Sequence, residues 1–327
     1  MGNFLSKKKI LILGGSGFVG TNLLIILKKK GYTKLTATYF SKKNFYRVHG
    51  VKYIKTNLNK ISNLHKLTKE ADIVFMLAAV SSGAKTIQNN PLTHFAPNIQ
   101  LNLNALESCK LNNVRKFIFL SSNTVYPDSK KIMNESNLNY QLFDKYFVVG
   151  WMKIFSEIMC DVYSNRGGDK SLDVLIVRPS NLYGPFDKFS MSTSKVIAAL
   201  IRKFHENKKN IEIWGDGKDL KDFMYIEDFC NNLINIASRK KHFEIINICS
   251  GKSITINKII NILVKEHNFN KKNLVYNSSK PSMIPVRKMS NMKLKRKYKF
   301  YNNFNIKEGL IKTVNWYSKY FKIYNKY

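Results

Sequence analysis

Acidic residues are scarce in this chain. Of 327 residues, 21 are Asp or Glu against 55 Lys or Arg, a formal charge of +34. No acid falls between Met1 and Lys69. Such an excess of cations raises the question of a nucleic acid or an anionic surface as partner. The lysines are spread along the chain, beside abundant Asn, Ile, Tyr and Phe, rather than gathered in one block. That reads as compositional bias, and a nucleic-acid partner is not expected. Cysteine is also scarce. Cys109, Cys160, Cys230 and Cys249 stand far apart, each in an apolar-periodic segment. With no Cys-x-x-Cys, neither a disulfide framework nor a metal site is suggested, and a reducing, cytoplasmic setting fits. No apolar run approaches the ~18 residues of a membrane span. No secretory signal is expected, because the first apolar run already reads as a strand. No internal repeat or flexible linker is visible. Met1-Gly-Asn-Phe-Leu-Ser6 matches a myristoylation pattern, but the match is short.

What is present is a strand that breaks into glycines and enters a helix. Ile10 to Leu13 is apolar, Phe18 to Leu27 is apolar-periodic, and Gly14, Gly15, Gly17 and Gly20 lie between and just inside them. They fit Gly15-x-Gly17-x-x-Gly20 and also Gly14-x-x-Gly17-x-x-Gly20. Such glycines permit a tight turn, close approach of backbone to a pyrophosphate, and close helix–strand packing. The phosphates then meet free N–H groups and the positive end of the helix. Gly14, Gly15, Ser16, Gly17, Phe18, Val19 and Gly20 are therefore expected to bind a dinucleotide. Lys34 to Tyr39 reads as the second strand. At its end, where NAD sites place an acid for the ribose hydroxyls, come Ser41, Lys42 and Lys43, with Arg47 beyond. A hydroxyl and cations suit a 2′-phosphate, so NADP is preferred over NAD.

The pattern then alternates. Lys52–Ile54, Asp72–Ala79, Lys116–Leu120 and Leu172–Val177 read as strands. Ile61–Lys69, Leu101–Leu111 (preceded by Pro91 and Pro97) and Met152–Tyr163 read as helices. Alternation implies an α/β fold, a doubly wound parallel sheet of the Rossmann type, with ligands at the carboxyl ends of the strands. A smaller substrate-binding lobe follows. The expected division is 1–180 for the nucleotide domain, with parts of 220–250 returning to it, and 181–327 mainly for the lobe. Helices are expected at Ser194–Phe204, Ile226–Ser238 and Ile256–Glu266, then a basic, aromatic tail.

Gly14-Gly-Ser-Gly-Phe-Val-Gly20, Leu77-Ala-Ala79, Ser121-Ser-Asn-Thr-Val-Tyr126, Arg178-Pro-Ser-Asn-Leu-Tyr-Gly-Pro185 and Trp214-Gly-Asp-Gly217 through Asp228 together resemble the extended short-chain dehydrogenase/reductases. These are the NAD-dependent epimerase/dehydratase enzymes of nucleotide-sugar metabolism. The likeness runs from about Lys9 to about Leu294. Asn181 to Phe189, Lys195 to His205, Lys280-Pro and Pro285-Val-Arg287 are most similar to the GDP-L-fucose synthase branch. The resemblance implies hydride transfer at a sugar carbon of a nucleotide-diphosphate sugar, and a homodimer formed through helices that include Met152–Tyr163. It implies cofactor contacts from Leu77, Ala78, Ala79, Lys153 and Arg178. It places Ser122, with Thr124 close by, at the reacting oxygen.

That family uses Tyr-x-x-x-Lys, in which the lysine lowers the phenol's pKa and orients the cofactor. Gly150-x-Met-Lys153 and Glu157 match the lysine's surroundings, but the residue four earlier is Val149. Valine exchanges no proton, so Tyr146, Thr124 or water is left as the source. Epimerisation in the fucose synthase branch uses a Cys and a His. Asn123 or Thr124 and Phe186 stand in their places, which leaves a C4 epimerase, a reductase or a dehydratase. For the substrate, the resemblance implies Asn181, Lys195, Trp214, Lys221 and Arg287. Trp214 is alternatively a core aromatic, and Arg287 alternatively surface charge. The rival to an enzyme is a member of the same fold that binds dinucleotide or RNA without turnover.

Overall fold

The computed structural model describes residues 5, 7–41, 45–80, 90–139, 141–168, 172–191, 193–206, 209–280 and 284–324. Its first half alternates strand and helix, except that β3 follows β2 directly. β1 (Ile10–Leu13) leads through the glycine turn into α1 (Phe18–Lys29), then β2 (Leu35–Tyr39), β3 (Lys52–Lys55), α2 (Ile61–Thr68), β4 (Ile73–Met76), α3 (Leu92–Leu111) and β5 (Lys116–Leu120). After a two-residue strand β6 (Ile132–Met133) come α4 (Phe147–Asp161), β7 (Asp173–Pro179), β8 (Asn181–Tyr183), α5 (Val196–His205), β9 (Ile211–Trp214), β10 (Leu220–Tyr225) and α6 (Ile226–Ala237). The chain closes with β11 (Phe243–Ile248), β12 (Ser253–Thr255), α7 (Ile256–Glu266), β13 (Leu274–Asn277), β14 (Val286–Met289), α8 (Met292–Lys297) and α9 (Ile306–Tyr324).

Seven parallel strands form the main sheet in the order β11-β7-β5-β4-β1-β2-β3. Strand order reverses between β1 and β4, the switch point where a doubly wound sheet opens a crevice for ligands. Both faces of the sheet are covered. Ile10 and Ile12 join one apolar cluster and Leu11 and Leu13 the other. A strand buried on both sides must be apolar at every position, and this is why β1 reads as an unbroken run. A smaller sheet, β12-β10-β14-β6 with β8 on β10, holds the later strands, and β9 pairs with β13. All four cysteines are buried and free. No helix among the described residues is long and apolar enough to cross a membrane.

Three expectations change. α3 begins at Leu92 and runs through Pro97, instead of starting after it. The missing Pro97 N–H costs one bond, and the neighbouring Asn98 amide ties the helix to the end of β4 by donating to His94 O and to Val80 O. α4 begins at Phe147 rather than Met152. The tail contains a 19-residue helix, α9, at Ile306–Tyr324.

One buried network ties these layers together. Arg178 of β7 donates from Nη2 to Glu157 Oε2 of α4 at 2.6 Å and from Nε to Oε1 at 3.0 Å. Its Nη1 donates to Tyr126 Oη and to Glu135 O. Tyr126 in turn donates to Asn247 Oδ1 of β11. Burial works against the guanidinium's charge, yet the bonds to Glu157 outweigh it and hold the Arg178 pKa above its usual value. Removing one partner leaves the other charged and buried. Arg178→Met is therefore expected to lower folding stability by about 3–5 kcal/mol in urea denaturation. A loss below about 1 kcal/mol contradicts this account.

Candidate active site

The site is built on the carboxyl ends of β1, β4 and β5. Gly14 leaves β1 with φ +89°, a conformation open to glycine and strained for other residues. A Cβ on it would sit 2.7 Å from Ala78 Cα, so the β1 and β4 ends close on each other here. Its N–H donates to Thr38 Oγ1, and that of Gly15 to Thr38 O, which pins the turn to β2. Gly17 caps α1 with no side-chain bond. The first N–H groups of α1, at Phe18, Val19 and Gly20, therefore keep their donors for a ligand. An anionic diphosphate suits these donors by charge. Leu77 N donates to Leu13 O, and Val80 is held on both its N–H and C=O by Asn98. The expected residues Gly14 to Gly20 and Leu77 to Ala79 are thus adjacent.

At the end of β5, Ser122 Oγ caps a short 3-10 turn over Asn123–Val125. It accepts from Thr124 N at 3.2 Å and from Thr124 Oγ1 at 2.9 Å. With both lone pairs engaged, the Ser122 hydroxyl keeps its hydrogen to donate outward. The Thr124 hydroxyl hydrogen is committed to Ser122.

α4 lies against this turn because residue 150 is glycine. A Cβ there would meet Thr124 O and Leu142 Cδ1, each at 2.7 Å. The approach carries Lys153 to β5, where Nζ donates to Leu120 O at 2.8 Å and lies 4.8 Å from the Phe119 ring centre. Burial pulls the Lys153 pKa down to about 8, opposed by Glu157. Glu157, one turn further on, is held by Arg178 and by the Ser121 hydroxyl. Val149, one turn before Lys153, lies on the same helical face.

Tyr146 is not brought beside Lys153. It precedes the first residue of α4 by one position, seven residues from Lys153, or about 10 Å along the axis at 1.5 Å per residue. Burial raises its pKa, and no cation acts on it to oppose that. Arg178 is 1% exposed and bonded to Glu157, Tyr126 and Glu135. Ser41 is exposed just past β2, while Lys42 and Lys43 lie outside the described residues, as do Met1 and Gly2.

The substrate-side residues fall into three places. Lys221 on β10 pairs directly with Arg287 on β14, and Asn181 on β8 donates to Asp222 O of the same β10. Arg287 is 2% exposed, so it is not surface charge. Its Nη1 and Nη2 donate to the carbonyls of Pro127 and Tyr126, its Nε is buried without a partner, and burial pulls its pKa down to about 10. Lys195 is exposed before α5, with Nζ 5.9 Å from the Phe18 ring centre. Trp214 is 55% exposed rather than a core aromatic, and lies between Lys203 and Lys280. A separate cavity of about 310 Å³, lined by Lys9, Thr36, Lys52 and Lys66 among others, involves none of these residues.

The residues missed by sequence reasoning are Gly150, as the contact that seats α4, and Asn98, as the clamp on Val80. Only their tertiary partners give them these roles. Gly150→Ala is expected to cost about 1–3 kcal/mol in urea denaturation, because a methyl group overfills the contact. A change under about 0.5 kcal/mol would mean that α4 does not need this approach.

Known proteins resemble this arrangement over nearly the whole chain. A probable GDP-L-fucose synthase 1 of Oryza sativa subsp. japonica is 29% identical, covering 96% of this chain and 94% of that protein. The GDP-L-colitose synthase of Yersinia pseudotuberculosis is also 29% identical, over 94% and 97% of the two chains. Among solved structures, DesIV, a dTDP-glucose 4,6-dehydratase of Streptomyces venezuelae with NAD and TYD bound, superposes with a TM-score of 0.85 at 18% identity, covering 97% of this chain and 99% of that one. That last likeness is one of fold. The profile of the NAD dependent epimerase/dehydratase family matches residues 10–249, and the chain belongs to that family.

Proposed function

We propose that the protein is an NADP(H)-dependent enzyme that exchanges hydride with a sugar carbon of a nucleotide-diphosphate hexose. The observation that carries this reading is the juxtaposition at the switch point. A diphosphate cradle on β1 stands beside a strand end that presents a donor hydroxyl, Ser122, and a half-buried cation, Lys153. Gly14 to Gly20 would hold the dinucleotide's diphosphate, Leu77 to Ala79 would line its path, and Lys153 would orient its nicotinamide end. The dinucleotide supplies the hydride chemistry when bound. Ser122 would donate to the reacting sugar oxygen. Lys221 and Arg287, side by side on β10 and β14, would take the substrate's diphosphate. The orphaned Arg287 Nε supports this, because a buried guanidinium with no carboxylate bonded to it is suited to an anion. Asn181, Lys195 and Trp214 would contribute further contacts.

The relatives act on GDP-sugars by name, which makes GDP-hexoses the first substrates to test. The test mixes stoichiometric protein with NADPH, or separately NADP, and a panel of GDP-, UDP- and dTDP-hexoses that includes 4-keto-6-deoxy forms. Nicotinamide absorbance and product sugars are followed together. Turnover of one sugar nucleotide is expected. Dinucleotide binding without turnover favours a second reading, a binding protein, for which Val149 is the motivating residue.

NADP is preferred because no acid stands at the end of β2. Arg47 is exposed there, its guanidinium 4.9–5.5 Å from the Tyr39, Phe45 and Tyr53 ring centres. A planar cation held on rings is suited to a 2′-phosphate. Arg47→Ala is expected to weaken NADPH binding about tenfold or more, by the loss of one charge-assisted contact, and to leave NADH binding within about twofold. Equal loss for both would contradict the assignment.

The proposed homodimer uses α4. Phe147, Phe155, Ile158 and Val162 form an exposed apolar stripe along α4 and the turn just beyond it, 43–48% exposed each. Such a stripe on a globular surface marks an interaction face. Phe155→Asp with Ile158→Asp is expected to halve the sedimenting mass. A wild type that sediments as a monomer at micromolar concentration rules the dimer out.

A further inference from the structure

The reaction proposed above leaves a proton unassigned, and the surroundings of Ser122 restrict where it can come from. Segment 120–124 runs along residues 150–153 of α4. Thr124 O abuts Gly150, and Leu120 O accepts from Lys153 Nζ. Along this contact the helix presents Val149, Gly150 and Lys153. Val149 has no exchangeable proton. The Thr124 hydroxyl is spent on Ser122. Tyr146 lies two turns away with no cation acting on it. Ser121 is buried and donates to Glu157. Among the described residues at this contact, Lys153 is the ionisable group.

We infer that Lys153 is itself the proton donor of this site: its ammonium both orients the cofactor and protonates the reacting oxygen that Ser122 holds. The inference rests on the hydride-transfer reading. When the sugar's carbonyl carbon accepts a hydride from reduced nicotinamide, the carbonyl's π electrons pass to oxygen and the nicotinamide is left oxidised. An N–H bond of Lys153 then breaks as the O–H bond forms. The neutral amine regains its proton from solvent. One ammonium hydrogen is bonded to Leu120 O, which leaves two for ribose and substrate. Burial makes the ammonium a better acid than an exposed lysine, with a pKa of about 8. The charged and titratable groups around it are few. Glu157 and Cys160 share its helix, and Arg178 of β7 is bonded to Glu157, with Tyr126 behind it. From β5 come a carbonyl and the Phe119 ring, and from α3 Cys109 lies beyond Cys160.

The test uses the full-length protein, NADPH and GDP-4-keto-6-deoxyhexoses in single turnovers. The wild-type reduction rate should fall as pH rises through about 8, because the ammonium is the active form. Lys153→Arg keeps the charge and a donor but releases no proton at these pH values. It should bind NADPH within about threefold of wild type and reduce about 100-fold more slowly or worse, the usual range for a lost general acid. Adding Val149→Tyr to Lys153→Arg should recover at least tenfold, since a phenol beside a cation can donate. That recovery separates a lost proton from a damaged fold. The inference is overturned if Lys153→Arg reduces within tenfold of wild type, if the wild-type rate is flat from pH 6 to 9, or if the double variant recovers nothing. A wild type that binds NADPH and reduces none of these sugars overturns the hydride-transfer reading, and the proton assignment falls with it.

Discussion

A carboxylate and a guanidinium, buried together between α4 and β7, hold this structure in working order. Glu157 and Arg178 are 5% and 1% exposed, so neither charge is tolerable alone. Besides the two bonds between them, they reach three further segments of the chain. Arg178 holds the Glu135 carbonyl and Tyr126, and Tyr126 holds Asn247 on the edge strand. Glu157 holds Ser121, whose neighbour is Ser122, and sits one helical turn from Lys153. The pair therefore sets the height and rotation of α4 against the end of β5.

The smaller sheet is coupled to the same turn. Arg287 leaves β14 and donates to the carbonyls of Tyr126 and Pro127, immediately after the turn that Ser122 caps. A group bound near Arg287 and Lys221 would thus be read by the segment that carries Ser122. Phe186 works at the opposite side. It adopts φ +66°, unusual for an aromatic, and its ring meets Tyr46 and Trp316. The segment after β2 is thereby joined to α9. Strain at that position persists because the rings on both sides hold it.

Much of the fold was legible because its signals are local. An apolar run buried on both faces, a glycine turn and a following helix are each written within a dozen residues, so β1, α1 and the cradle could be read directly. The spacing from Lys153 back to Val149 is also local, and it posed the central chemical question before any coordinates. What could not be read depends on distant partners. The partners of Arg178, Glu157 and Tyr126, lie 21 and 52 residues away in the chain. Trp214 could have been core or surface, and only the packing of β9 against β13 decides. The start of α3 was misplaced because Pro97 is normally a boundary, and the bond from Asn98 to the distant Val80 carbonyl carries no signature in the chain. The helix in the basic tail was hidden by its four lysines and by the asparagines just before it. Its support comes from Leu310, Val314 and Tyr317 packing into the large core cluster.

The central claim is that hydride passes between a nicotinamide and a sugar carbon at the strand ends of β1 and β5. Isotope transfer tests it most directly. NADPH doubly deuterated at nicotinamide C4 is incubated with the protein and the panel of nucleotide sugars, and the products are weighed by mass spectrometry. The account predicts one deuterium on carbon in one product sugar, with none when Lys153→Met replaces the wild type. Tight dinucleotide binding with no label transferred to any sugar in the panel would contradict it.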